Sequence, residues 1–115
     1  MNLSIINVAV KQVLVPADLQ TQYIKFLTEL NRMLLDRFCE FYCGLQLYQD
    51  ASAANTFFVL TTYREVPYLE DKVAVLRAVV NEAYQEAFHG RVTSVVLMGY
   101  PDDMRILPPP FCQCD

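Results

Sequence analysis

The chain has 115 residues, 54% of them apolar and 19% charged, with a net charge of -4; this is the length of one domain and lies far from the polar, highly charged compositions of disordered chains. Nine basic residues, scattered singly, make no stripe that could displace counterions from a phosphate backbone and no cluster for an anionic membrane surface, so neither nucleic acid nor membrane is expected as a partner. Every long apolar stretch is interrupted by Lys11, Arg32 or Arg77, short of the about 18 uninterrupted residues that a membrane span needs.

The opening segment MNLSIINVAVKQVLVP has neither a basic region ahead of its apolar stretch nor a small-x-small cleavage site after it, so a mature N-terminus is expected. Four cysteines without a leader fit a reducing compartment with free thiols, and cytoplasmic localisation follows as the expectation.

From Ile5 to Val15 the Val- and Ile-rich run predicts a first strand, ended by Pro16. Asp18 is placed to cap a following helix, whose buried stripe is Leu19, Tyr23, Leu27, Leu30, Leu34 and Phe38. Lys25, Glu29, Arg32 and Asp36 alternate in sign along its other side. The end of this helix is open: Gly44 is a natural stop, yet alternation already begins at Cys39, and a strand over 40–48 is favoured. A small polar loop, 49–55, then leads into TFFVLTTY, residues 56–63, which is strongly β-prone. Pro67 suits the first turn of a second helix with the stripe Leu69, Val73, Leu76, Val80, Ala83, Tyr84 and Phe88, stopped by Gly90. The segment RVTSVVLMGY predicts the last strand. The remainder, with three consecutive prolines, is unsuited to a sheet interior.

The order strand, helix, strand, strand, helix, strand predicts a ferredoxin-like α+β fold: a four-stranded antiparallel sheet with both helices on one face. Residues 1–101 form this domain and 102–115 a tail containing Pro and Cys. Phe57 and Val59 point to one side of the sheet, Phe58 and Leu60 to the other, and helices can cover only one. An apolar second face calls for a partner, and a second copy of the chain is the simplest.

In this element order, and in CGLQLYQDASAANTFFVLTTYRE, where a glycine opens one strand and Asn-Thr-Phe leads into the next, the chain resembles the dimeric α+β barrel superfamily. Antibiotic-biosynthesis-type monooxygenases belong to it, and the resemblance spans about residues 3 to 100. It implies a homodimer packed sheet to sheet. The chain has no Trp, and where the family usually has ERW it reads TYRE, so no catalytic residue carries over. TFFVLTTY also looks superficially like the aromatic strand of RNA-recognition motifs, but Ala53, Ala54 and Asn55 stand where a basic residue and a glycine are needed.

Cys39, Cys43, Cys112 and Cys114 are the conceivable metal ligands. On a strand, positions four apart are separated by about 13 Å, and C-x-x-C pairs are absent, so no metal is expected, whereas a helix running on to Cys43 would put Cys39 and Cys43 on one face, able to chelate with the tail pair. His89, the single histidine, follows the second helix, where a capping role is the simpler reading. Three glycines make no phosphate-cradling loop, and no cofactor is expected. Tyr48, Phe57, Tyr63, Arg64, His89 and Tyr100 are the candidate ligand or interface residues. The function expected is a homodimeric binding or interaction module. The competing reading is a cofactor-independent monooxygenase or isomerase using a tyrosine or Arg64 on a small aromatic or anionic substrate; a third is a regulator or inhibitor of a different protein. The segment ILPPPF can form a stiff polyproline II stretch lying on its own dimer or presenting Phe111 to a protein.

Overall fold

The computed structural model describes residues 6–98 and 105–106. Its strands are β1 (Ile6–Leu14), β2 (Tyr42–Gln49), β3 (Thr56–Arg64), β4 (Thr93–Met98) and the two-residue β5 (Arg105–Ile106); its helices are α1 (Gln20–Arg37) and α2 (Leu69–Phe88). The main sheet runs β2-β3-β1-β4, antiparallel throughout, which is the ferredoxin-like order anticipated from the pattern. β5 pairs with the start of β1, Ile6 opposite Ile106. The tail therefore does contribute to the sheet, at a position preceding its prolines and outside the central path. Tyr100, Cys112, Cys114 and the rest of the tail lie outside the described residues.

Both helices lie on one face because their stripes leave them no alternative. Tyr23, Leu27, Leu30 and Leu34 of α1 are buried, as are Leu69, Val73, Leu76 and Phe88 of α2, against Val13 of β1, Val15 just beyond it, and Phe57, Val59 and Tyr63 of β3. The pairing of Val13 with Phe57 and of Lys11 with Val59 puts the odd-numbered residues of both strands on this inner face. Val8 and Val10 of β1, Leu60 of β3 and Cys43 form a separate cluster on the outer one.

Several boundaries differ from the pattern. Asp18 caps nothing: it sits in a single 3₁₀ turn, Ala17–Leu19, with no side-chain capping bond, and instead accepts two bonds from Arg91 across the end of the sheet. Pro67 precedes α2 by two residues, because Tyr68 takes a left-handed conformation (φ 61°) before the helix begins. β2 starts at Tyr42, not at residue 40, since the backbone turns at 38–41, with Tyr42 N–H donating to the Phe38 carbonyl over 2.9 Å.

The pairing of β2 with β3 slips between Tyr42 and Leu45. At that bulge Gly44 has φ +108°, a conformation side-chain-bearing residues rarely adopt. Asn31 on α1 secures the irregular start of the strand, its Oδ1 accepting from the Tyr42 hydroxyl (2.7 Å) and from Leu45 N–H (3.2 Å). Tyr42 and Cys43 are both buried, Tyr42 in the inner core and Cys43 in the outer cluster, so their side chains point to opposite faces of the sheet. The hairpin loop is tied by Asp50, whose carboxylate accepts from the backbone N–H and hydroxyl of Ser52, each at 2.9 Å, and is held below the usual carboxylate range by those bonds.

Candidate functional site

Between the inner sheet face and the helices lies a cavity of about 140 Å³. Leu27, Leu30 and Leu34 of α1, Leu76 and Val80 of α2 and Val59 of β3 supply its apolar walls. Polar groups enter from five elements: Lys11 from β1, Tyr42 from β2, Thr61 and Tyr63 from β3, Ser94 from β4, and Arg77, Asn81 and Tyr84 from α2. Arg77 and Asn81 are exposed, as are Ser94 and Val96 of β4, which also line the space; the mouth thus lies between α2 and the β4 edge.

Lys11 is the unusual member. It occupies the inward parity of the central strand, in line with Ala9 and Val13, and extends its ammonium over the Tyr84 ring, 4.4 Å from the centroid. Burial, and secondarily the Arg77 charge, lower its pKa from 10.5 to about 8. The described ion pairs are Lys72 with Glu40 and Arg91 with Asp18, both at the surface. Neither Lys11 nor Arg77 has a carboxylate partner among the described residues.

The tyrosines behave in the opposite sense. Burial pushes the Tyr63 hydroxyl up to about 12 against the opposing Arg77 charge, and burial likewise pushes Tyr84 up to about 12. Tyr42 is raised further, mainly by burial. All three are neutral donors at physiological pH, so the cavity holds one amine that titrates near neutrality among phenols that do not. Tyr84 also shares a 2.7 Å hydrogen bond with Tyr23, in which either hydroxyl can donate.

The sequence-selected residues do not converge. Tyr63 lines the cavity and Phe57 is buried in the main core. Tyr48 is half exposed, its hydroxyl donating to Gln46 at 2.6 Å. Arg64 follows the outward parity of β3, with its guanidinium 3.5 Å from the Glu40 carbonyl. His89 ends α2 with φ 50°, its backbone N–H bonded to the Gln85 carbonyl and its side chain exposed. Tyr100 falls outside the described residues. Lys11, Arg77 and Tyr84, which sequence reasoning passed over as a strand interruption, a break in an apolar run and a stripe residue, are brought together by the fold. Both parities of β1 are apolar, so no signal in the strand marked Lys11 as facing inward.

Cys39 is a free, half-buried thiol, whereas Cys43, buried beside Val8, is held in a disulfide, which departs from the expectation of free thiols. Cys39 lies in the turn ahead of β2, so the two are not strand neighbours. No group of three His, Cys, Asp or Glu side chains is gathered for a metal among the described residues. No helix among them is long and apolar enough to cross a membrane.

The chain is similar in fold to Rv0793 from Mycobacterium tuberculosis. The superposition covers 88% of this chain and 100% of that one, with a TM-score of 0.51 and 13% identity. At that identity the likeness is one of backbone architecture alone. No protein-family model matches the chain, and no curated protein matches it in sequence.

Proposed function

We propose that this protein is a small-molecule-binding domain that works as a homodimer, with a one-ring ligand held between sheet and helices and a second copy of the chain against the outer sheet face. The cavity carries the reading: an aliphatic wall from α1 faces polar groups that converge from the sheet and α2, and the space opens at one edge. An apolar engineered cavity of about 150 Å³ accommodates benzene, so a space of about 140 Å³ matches a single aromatic ring. In thermal denaturation, phenol or toluene is expected to raise the melting temperature of the intact chain in a saturable way, while a two-ring naphthalene probe does not. Ala9→Leu, which fills the cavity, should abolish the response. The absence of any shift with every one-ring probe would sink the ligand reading.

The dimer rests on the outer face, where Leu14, Tyr48 and Val95 are each about half exposed or more and lie on the same side as the half-buried Phe58 and Leu60. Native mass spectrometry should find twice the 13.2 kDa chain mass. Leu14→Lys combined with Val95→Lys should reduce this to one chain mass without unfolding, since neither side chain belongs to the core. A wild-type monomer would remove the sheet-to-sheet dimer and leave a different protein as the expected cover.

A further inference from the structure

We propose that the ligand of the inner cavity is a one-ring aromatic carboxylate, its anionic end held between Lys11 and Arg77 and its ring against the leucines of α1. This rests on reading the cavity as a ligand site, and adds its charge class.

The charges on the cavity wall are unbalanced. Lys11 and Arg77 both line it, and neither is ion-paired among the described residues, although the surface pairs Lys72–Glu40 and Arg91–Asp18 show that carboxylates are placed where cations need them. An ammonium withdrawn from water is costly unless something opposite in charge meets it. Its only described compensation is the face of the Tyr84 ring, which supplies a fraction of what a carboxylate would. The lowered pKa of Lys11 has the same origin, burial first and Arg77 repulsion second. A bound carboxylate would reverse both effects, and the neutral Tyr63 hydroxyl in the same wall can donate a further bond to it.

Shape agrees with charge. The leucines of α1 face the apolar end, while Arg77 is exposed at the mouth; a ring therefore enters the leucine side with its carboxylate trailing towards the cations. The titratable or charged groups lining the cavity around Lys11 are Arg77 and Tyr84 from α2, Tyr63 from β3 and Tyr42 from β2; α1 and β4 contribute none. Lys11 loses its charge between pH 7 and 9.5, so affinity for an anion should fall across that interval.

The test compares benzoate, benzyl alcohol and benzylamine, titrated calorimetrically into the intact protein at pH 7 and 9.5. Benzoate should bind about ten-fold more tightly than benzyl alcohol at pH 7, as one charge-assisted contact predicts, and benzylamine should not bind. The advantage should shrink at pH 9.5. Lys11→Met should retain benzyl alcohol binding and lose the preference for benzoate, and Arg77→Gln should weaken it. If the alcohol binds as tightly as benzoate, the cavity remains a ligand site and the anion assignment falls. If none of the three binds to folded protein, both fall together.

Discussion

Replacing Lys11 by Met should stabilise the protein at pH 7 by about 1–2 kcal/mol and remove a rise in stability that the wild type shows between pH 8 and 10. The folded chain holds the Lys11 proton with a pKa near 8 instead of 10.5, a difference equivalent to about 3 kcal/mol against the charged form. Access of water through the cavity mouth, and loss of the contact with Tyr84, reduce what Met recovers. Below pH 8 the lysine is protonated in both states and the penalty is present in full. Between 8 and 10.5 the unfolded chain carries the extra proton, so raising the pH favours the fold.

Above pH 10 the direction reverses. Tyr63 and Tyr84 keep their protons to about 12 in the fold, whereas the unfolded chain loses them from about 10, so the folded state now holds more protons and becomes less stable as pH rises. Wild-type stability should therefore peak near pH 10. Urea unfolding of both proteins at pH 7, 8, 9 and 10 decides the matter: parallel profiles for wild type and Lys11→Met would show that Lys11 is not buried as described.

The largest loss is expected at Tyr23. Its side chain is 0% exposed and lies within 5.8–6.4 Å, centroid to centroid, of Phe26, Phe57, Tyr84 and Phe88. Tyr23→Ala empties the junction of α1, α2 and β3 and should lower stability by about 4–5 kcal/mol, enough to unfold much of the protein at 37 °C. Tyr23→Phe keeps the packing and removes only the 2.7 Å bond to Tyr84, for which about 1 kcal/mol is expected. Tyr84→Phe should resemble Tyr23→Phe, and the double variant should lose less than the sum, because both changes delete the same bond. Equal losses for Tyr23→Phe and Tyr23→Ala in denaturant titrations would contradict a packing role for the ring.

The helices and the parity of β3 were legible because each depends on a repeating pattern. Tyr23, Leu27, Leu30 and Leu34 recur at helical spacing and are buried together. Residues 57 to 60 alternate between faces as their sequence order predicts. The start of β2 was not legible, because a bulge held by Asn31, fourteen residues before Leu45, offsets alternation locally. Tyr68 and β5 escaped for related reasons: one is a single left-handed residue, the other a two-residue pairing with no period to detect.

Composition and periodicity alone thus determined the class of fold, the order of its four main strands and two helices, and the presence of an apolar second sheet face, since each is a property of segments that local chain geometry imposes. The cavity was decided only by tertiary structure. From Val8 to Val15 both parities are apolar, Val8, Val10 and Leu14 against Ala9, Val13 and Val15, so no pattern in this stretch says which face Lys11 takes. That choice follows from where the helices settle, and their settling brings Lys11 beside Arg77 and Tyr84, 66 and 73 positions further along the chain. Charge, ring and cavity meet there because packing joins segments whose sequences carry no record of one another.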